Sequence, residues 1–248
     1  MICLKSPEEI EKLRLANQIV ASVMKTVKGL IRPGIATEEL DRIAEEMILK
    51  EGAKPAFKGY RGFNHALCIS INEEVVHGIP GKRKLQTGDI VSIDCGVFRD
   101  GFYGDHAWTF PVGGVSKRAE RILEIGEKSL YLGIEKMRVG SRLFDISTAV
   151  QEYVEAKGYT VVRDFVGHGI GKELHEEPQL PNFGTKGTGM RLKAGLVLAI
   201  EPMVNEGSFD VEVLKDGWTV VTKDRKLSVH FEHSVAVTEK GPDILSQW

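Results

Sequence analysis

The sequence predicts an α+β fold made of two related halves, roughly residues 1–110 and 111–248, within one domain of 248 residues. Apolar residues at helical spacing predict two pairs of helices, one pair in each half. A strand-like segment then follows in each half. The segment KLQTGDIVSID over 84–94 aligns with RLKAGLVLAIE over 191–201, and both copies end on an acidic residue. Two copies are too few for a solenoid, so we expect one domain formed by internal duplication.

The first helix pair has start and stop signals. Ser6 is a typical capping residue, Pro7 suits the first helical position, and Glu9 completes a capping box. We therefore expect a helix from Pro7 that ends before the glycine and proline at 29–34. Thr37 is the predicted cap of the second helix, which should stop near Gly52.

The second helix pair repeats this arrangement. Its first helix is expected to start near Lys117 and to end at Val139-Gly140, and its second helix to end near Gly158. Gly140 and Gly158 each lie 106 positions after a glycine that ends a helix region in the first half. The two helix pairs therefore align without a gap.

Composition and charge exclude several classes of protein. The formal net charge is -2 and no run of Lys and Arg is present, so we expect neither DNA binding nor attachment to an anionic membrane. The N-terminal segment has no signal-peptide core, and no apolar stretch approaches the ~20 residues of a membrane span. Three cysteines, an odd number without metal-type spacing, favour reduced thiols. We expect a cytoplasmic protein.

Four acidic residues lie in or beside strand-like sequence: Asp94, Asp105, Glu201 and Glu232. A single acid in a strand is usually an edge or solvent-facing residue. A buried ionised carboxylate is costly unless it is paired, hydrogen-bonded or bound to metal. Four converging carboxylates would repel one another unless positive charge lay between them, and two divalent cations would supply it.

Three histidines have neighbours that favour a functional site. His168 lies between two glycines in FVGHGIGKELHEEP, and His175 follows in the same segment. His77 ends an apolar stretch and is again followed by a glycine. Glycines at such positions let the backbone approach a site closely. The other four histidines have weaker claims, and His106 and His233 directly follow strand acids, so they should point to the opposite face and be structural.

One imidazole with four carboxylates is an oxygen-rich ligand set. It suits Mn, Fe, Co or Zn at a catalytic centre better than a structural zinc site, which is rich in thiolates. Two such ions can activate a shared water molecule, and the natural reaction is amide hydrolysis. The sequence contains no phosphate loop, dinucleotide fingerprint, G-x-S-x-G elbow or H-E-x-x-H helix.

Six segments together resemble the methionine aminopeptidase family. They are CISINEEVVHGIP, GDIVSIDCGVFRDGFYGD, GHGIGKELHEEP, AIEPMV, KDGWTVVTKD and FEHSVAVTE. The resemblance covers the chain from the first helix onward. It implies the pita-bread fold, an α+β fold in which two pseudo-symmetric halves, each with two helices and antiparallel strands, surround a dinuclear metal site. One catalytic domain would then cover residues 1–248.

The same resemblance implies roles for the site residues. Asp105 and Glu232 would bridge two divalent ions. His168 and Glu201 would complete the ligands of one ion, and Asp94 would complete those of the other. A hydroxide held between the ions would attack the scissile amide, with Glu201 taking a proton from the water. His175 would hydrogen-bond the scissile carbonyl, and His77 would contact the backbone nitrogen beyond the bond that is cut.

A closed apolar pocket for the substrate side chain is also implied, with walls from Phe57, Tyr60, Phe63, Cys68, Leu174 and Trp218. Phe57 stands where some relatives have a smaller residue, and Leu174 where many have an aromatic one. Asn72 and Ser228 match positions that bind a monovalent cation in some relatives.

The function implied is removal of the initiator methionine from nascent polypeptides, with a preference for a small residue after Met. The short stretch between His168 and Glu201, without a long insertion, and the absence of a cysteine-rich extension indicate the type I form. A monomer is the default expectation, and transient association with the ribosome is left open.

Three alternatives to this function remain. The first is a proline-specific aminopeptidase or dipeptidase of the same fold, a class that usually carries a large N-terminal domain. The others are a non-catalytic binding protein on this fold and a metal-dependent oxygenase.

Overall fold

A computed structural model describes residues 2–248 of the chain and contains four α-helices over that range. The helices are α1 (Pro7–Leu30), α2 (Thr37–Lys50), α3 (Lys117–Ile134) and α4 (Leu143–Ala156). A 3₁₀ turn is present at Tyr60–Gly62. None of the helices within residues 2–248 combines the length and the apolar character needed to cross a membrane.

The predicted start of α1 is confirmed, and the predicted cap of α2 is wrong. The Ser6 hydroxyl accepts a hydrogen bond from the backbone of Glu9, and the Glu9 carboxylate accepts one from the backbone of Ser6. Thr37 is instead the first residue of α2, and Ala36 precedes it without a side-chain cap. The Thr37 hydroxyl donates to the Gly81 carbonyl (3.0 Å) and accepts from the Gly81 N–H (2.8 Å), so it anchors a loop instead of capping a helix.

The second helix pair lies where the repeat predicts it, but α3 is shorter than expected. It ends at Ile134 and not at Val139-Gly140. Two tight turns follow, in which Lys136 and Met137 donate to carbonyl groups three residues earlier. Met137 is fully buried there, so an apolar residue continues to pack against the core although the backbone has left the helix. The end of α4 at Ala156, just before Gly158, agrees with the prediction.

Fifteen strands are present between residues 54 and 244, and all of their pairings are antiparallel. In chain order they are β1 (Lys54–Pro55), β2 (Leu67–Ile71), β3 (Glu74–Val76), β4 (Ile90–Arg99), β5 (Phe102–Pro111), β6 (Thr160–Val161), β7 (Gly167–Gly169), β8 (Glu176–Leu180), β9 (Val197–Ile200), β10 (Met203–Asn205), β11 (Val211–Val213), β12 (Val220–Thr222), β13 (Ser228–His230), β14 (His233–Thr238) and β15 (Gly241–Ile244).

Two larger sheets carry the two copies of the predicted strand. In the first half β4 pairs with β5 along one edge and with both β1 and β2 along the other. In the second half β9 lies in the sheet order β15-β14-β9-β7-β8. Two sheets of three strands, β13-β10-β6 and β11-β12-β3, complete the fold, and the pairing of β3 with β12 joins the halves.

Matching backbone contacts in the two halves support the predicted duplication. An isolated bridge joins Ala36 to Lys84 in the first half, and another joins Arg142 to Arg191 in the second. The N–H of Gly34 donates to the carbonyl of Leu85 (2.8 Å). In the second half, the N–H of Gly140 donates to the carbonyl of Leu192 (3.0 Å). Both glycines have left-handed backbone conformations, with φ of 89° and 88°. In each half, the turn before the second helix is thus hydrogen-bonded to the segment that precedes the central strand.

Each half has its own apolar core. One cluster of buried residues lies between α1, α2 and the β4 sheet, and a second lies between α3, α4 and the β9 sheet. Trp108 on β5 is partly buried and packs against both clusters. Trp108 therefore lies where the two cores adjoin.

Asn17 is the one polar residue on the buried face of α1, and it connects this helix to β5. Its amide nitrogen donates to the Leu13 carbonyl (2.9 Å), and its side-chain oxygen accepts from the backbone N–H of Asp105 (3.2 Å). Asn17 is fully buried, so both contacts are shielded from water. The helix therefore holds the backbone of Asp105 in place.

We expect Asn17→Leu to lower the free energy of unfolding by about 1–3 kcal/mol, because the buried N–H of Asp105 would lose its acceptor. Urea denaturation followed by circular dichroism measures the change. The exposed neighbour Gln18 provides a matched control, and Gln18→Ala should change stability by less than about 0.5 kcal/mol. Equal stability of the Asn17 and Gln18 variants would contradict this role.

Candidate metal centre and substrate cavity

A cavity of about 500 Å³ opens between the two halves. It is lined by all the residues that the sequence analysis selected for a metal centre, for substrate contacts and for a side-chain pocket. These are Phe57, Tyr60, Phe63, Cys68, His77, Asp94, Asp105, His168, Leu174, His175, Glu201, Trp218 and Glu232. The structure therefore brings residues from both halves of the chain to one place.

The first two acids come from adjacent strands. Asp94 lies on β4, Asp105 lies on β5, and Asp105 pairs directly with Gly96. Because residues two positions apart on a strand share a face, Asp94 and Asp105 are diagonal neighbours on the same side of the sheet. Gly96 has no side chain to separate them.

The other two acids lie at the end of the second sheet. His233 on β14 pairs with Ile200 on β9, so Glu232 and Glu201 are the next residues of their chains beyond that pair. The N–H of Glu232 donates to the carbonyl of Ala107 on β5 (2.8 Å), which ties this end of the second sheet to the first. Glu232 thus lies close to the strand that carries Asp105.

His168 completes the group from β7, where it pairs with Ala199. Its Nδ1 lies 2.9 Å from the Gly169 carbonyl, which can only accept, so Nδ1 carries the proton and Nε2 has a free lone pair. Nε2 lies 3.4 Å from Glu201 Oε1 and 3.9 Å from Asp105 Oδ2. A side chain at Gly169 would lie 2.4 Å from the Glu177 carbonyl, so this close strand packing requires glycine.

The donor atoms fit a divalent metal centre. Ligand-type atoms of Asp105, His168 and Glu232 all lie within 4.8 Å of one another. Three carboxylate oxygens of the group, Asp94 Oδ1, Asp105 Oδ1 and Glu232 Oε1, are buried without a hydrogen-bond partner. Oxygens that have lost water and gained no hydrogen bond are costly, and coordination by cations removes that cost.

The electrostatics of the isolated protein agree with this fit. Burial raises the pKa of Asp94 to about 7 and that of Glu201 to about 8. Burial, followed by repulsion from neighbouring carboxylates, holds the pKa values of Asp105 and Glu232 well above their ordinary range. Burial also lowers the pKa of His168 to about 3, so its imidazole is neutral and can act as a ligand. Added positive charge would favour the ionised carboxylates.

His77 reaches the cavity from a strained backbone. It follows β3 with φ of 62°, a left-handed conformation that non-glycine residues rarely adopt. Its ring packs edge-on against Phe165, with centroids 5.5 Å apart, and faces Trp218 at 6.4 Å. Burial lowers the pKa of His77 to about 4, so the ring is neutral.

His175 lies at the rim of the cavity, and its ring is held by Tyr60. The Tyr60 hydroxyl is 3.0 Å from His175 Nδ1. Burial lowers the pKa of His175, which favours the neutral ring. A hydroxyl that donates to Nδ1 leaves the proton of the neutral ring on Nε2, which can then donate to a substrate oxygen.

The predicted pocket walls form an apolar part of the cavity. Phe63 packs edge-on against Trp218 with ring centroids 5.0 Å apart, and Leu174 is 3% exposed. Cys68 is buried, and burial together with the nearby acids raises the pKa of its thiol well above the usual value, so the thiol is neutral. This wall therefore carries no charge.

Asn72 and Ser228 are neighbours but do not line the cavity. The N–H of Ser228 donates to the Asn72 carbonyl (2.9 Å). The Asn72 side chain binds Asp89 and the backbone of Ile90, and the Ser228 hydroxyl donates to Asn205. These contacts do not test the expected monovalent cation, so its assignment to this position stays a prediction.

The other histidines divide into two groups. His106 and His233 stack on each other with centroids 4.6 Å apart, away from the cavity, as their position after strand acids predicts. His65 is half-buried and lies 3.0 Å from Asp41, also outside the cavity. His230 also lines the cavity, although it was not among the residues predicted for the site. It lies two positions before Glu232, but β13 ends at His230, so alternation along a strand does not connect the two residues.

Comparisons with known proteins agree with this geometry. Residues 11–239 match Metallopeptidase family M24. The chain is 56% identical over 246 residues to a methionine aminopeptidase of Clostridium perfringens, with 99% of both chains covered. It is also 53% identical over 247 residues to methionine aminopeptidase 1 of Bacillus subtilis, with 100% of both chains covered.

Solved structures show the same likeness. A methionine aminopeptidase from Thermotoga maritima superimposes with a TM-score of 0.98 at 46% identity over the whole of both chains. A prolidase from Pyrococcus horikoshii has a TM-score of 0.81 at 22% identity, and 63% of its length is covered, so that likeness shows the fold alone. The pita-bread fold predicted from the sequence is confirmed. The chain therefore belongs to metallopeptidase family M24 and, within it, to the methionine aminopeptidases.

Proposed function

We propose that this chain is a metal-dependent aminopeptidase of type I, which removes the initiator methionine from new polypeptides when a small residue follows. The observation that carries the proposal is the single cavity in which five ligand-type side chains, two further histidines and an apolar wall lie together. The relatives at 56% and 53% identity, which are methionine aminopeptidases, support the choice of substrate. In this proposal residues 1–248 form one catalytic domain.

Two divalent ions would be held by Asp94, Asp105, His168, Glu201 and Glu232. Bound there, they supply the positive charge that makes a water molecule acidic and polarises an amide carbonyl. Membership of a metallopeptidase family supports the use of divalent metal. We propose Co, Mn, Fe or Zn as the occupants, because the ligand set combines oxygen donors with imidazole.

The side chains around the ions would move the protons and hold the substrate. Glu201 would take a proton from the attacking water on a carboxylate oxygen. His175 would donate from Nε2 to the carbonyl oxygen of the scissile bond, with Tyr60 keeping its ring in the required tautomer. His77 would contact the backbone nitrogen of the following residue, held by its packing against Phe165 and Trp218.

The apolar wall would hold the methionine side chain. Phe63, Trp218, Leu174 and the neutral thiol of Cys68 offer aromatic and aliphatic contacts without charge, which suits a long thioether side chain. Phe57 and Tyr60 would complete the pocket. Substrates would be polypeptides that begin with Met, and a cytoplasmic location is consistent with that role.

A proline-specific peptidase is the alternative from the same family. The prolidase likeness is at 22% identity, against 46% for the methionine aminopeptidase structure that matches over its whole length. The comparisons therefore favour methionine removal.

We expect the purified protein to release methionine from Met-Ala-Ser, because the pocket is apolar and the next residue faces a crowded site. Chromatography of the products measures the release. A chelator should abolish it, and Co, Mn, Fe or Zn, added back singly, should restore it to different extents. Met-Lys-Ser and Ala-Pro-Ser serve as matched substrates and should be cut slowly or not at all. Equal rates on the three peptides, or a rate indifferent to chelator, would overturn the proposal.

We expect His175→Ala to lower kcat by about 10²–10³-fold, because the scissile carbonyl loses a donor. Calorimetric titration should show unchanged metal stoichiometry, since His175 is outside the five proposed ligands. Tyr60→Phe is the matched variant, which keeps the imidazole but removes its hydroxyl partner and should cause a smaller loss. Normal turnover by His175→Ala would refute the assignment.

A further inference from the structure

His230 is a buried histidine whose Nε2 forms no hydrogen bond. It is 3% exposed, and Nε2 itself is buried. The nearest acid is Glu201, with Oε2 3.4 Å from Nε2, but the two atoms do not form a hydrogen bond. An imidazole nitrogen that is buried and unpaired is costly, and it requires an explanation.

Hydrogen bonds fix the backbone of His230 in place. The N–H of His230 donates to the Thr109 hydroxyl oxygen (2.9 Å), and that hydroxyl donates to the His230 carbonyl (2.8 Å). His230 also pairs with Met203 across β13 and β10. These contacts attach the residue to β5, the strand that carries Asp105.

The position of the ring follows from its contacts. His230 is the last residue of β13, and its Nε2 lies 3.4 Å from Glu201 Oε2. His230 and Glu232 line the cavity, whereas Phe231 between them is buried in the apolar core of the second half. The His230 ring is therefore directed to the same space as the proposed metal ligands.

The carboxylate of Glu201 lies between two imidazoles in a symmetrical arrangement. Oε1 is 3.4 Å from His168 Nε2, and Oε2 is 3.4 Å from His230 Nε2. Two donors that each bind one ion at about 2.1 Å with tetrahedral angles lie about 3.4 Å apart. The spacing at His230 thus equals that at His168, which is a proposed ligand.

We propose that His230 is a second imidazole ligand of the divalent metal centre, binding through Nε2 beside Glu201 Oε2. This inference rests on the proposed function, because it adds a sixth donor to the five residues proposed above. A direct hydrogen bond to Glu201 would also occupy Nε2, but the structure contains none. Coordination gives the unpaired nitrogen a partner and adds a donor on the side of Glu201 opposite to His168.

A second imidazole would change which metals the centre prefers. Imidazole suits Zn, Cu, Fe and Ni, whereas an all-carboxylate set suits Mg, Ca and Mn. Removing His230 should therefore weaken Zn(II) binding at one of the two positions by at least about tenfold, and weaken Mn(II) binding less. Competition titrations of His230→Gln against the unchanged protein measure both affinities.

The direct test is nitrogen NMR of the full chain labelled with ¹⁵N-histidine, stripped with chelator and titrated with Zn(II). The chain has seven histidines, and His230→Gln identifies the resonances of residue 230. We expect the Nε2 signals of two histidines, 168 and 230, to move into the metal-bound range. His65→Gln removes an imidazole outside the cavity and should leave both responses intact.

The outcomes separate this inference from the proposed function. A response from His168 without one from His230 would overturn the inference and leave the metal centre standing. No response from any histidine would overturn both. If His230→Gln fails to fold, the unchanged protein still decides the question, because two coordinated imidazoles support the inference and one contradicts it.

Discussion

The close approach of four carboxylates, two of them buried and two half-buried, is the constraint on which the rest of this structure depends. Asp94, Asp105, Glu201 and Glu232 line one cavity between the halves, and three of their oxygens are buried without a hydrogen bond. Without cations, burial raises the pKa values of all four, and repulsion between carboxylates adds to this effect for Asp94, Asp105 and Glu232. A protein gains nothing in stability from such a group, so its presence is explained by the metal ions that we propose it holds.

The two halves meet at this group because their central strands end there. β4 and β5 bring two acids, the ends of β9 and β14 bring two more, and β7 brings His168. Hydrogen bonds from the segment around Glu232 to β5 hold the two sets together, and Asn17 on α1 holds the backbone of Asp105 from behind. The duplicated architecture thus supplies rigid strands on two sides of one cavity, while loops and rims carry His77 and His175.

Sequence patterns predicted those parts of the fold that local spacing determines. The starts of α1 and α3 and the repeat of the two halves follow from capping residues, apolar periodicity and matched glycines. The predictions of a cap at Thr37 and of the end of α3 were wrong because tertiary contacts determine both positions. The Thr37 side chain binds the backbone of Gly81, and Met137 is buried although it lies in a turn after the helix. His230 was missed because its face is set by pairing with β10 and by contact with Thr109, and neither is visible in the sequence. The selected site residues do gather in one cavity, and their roles remain our proposal.

Anomalous diffraction from crystals grown with Mn(II) tests the central claim most directly. We predict two anomalous peaks inside the cavity, in contact with Asp94, Asp105, His168, Glu201 and Glu232. An absence of anomalous density there at saturating Mn(II), or density that contacts other residues only, would contradict the account.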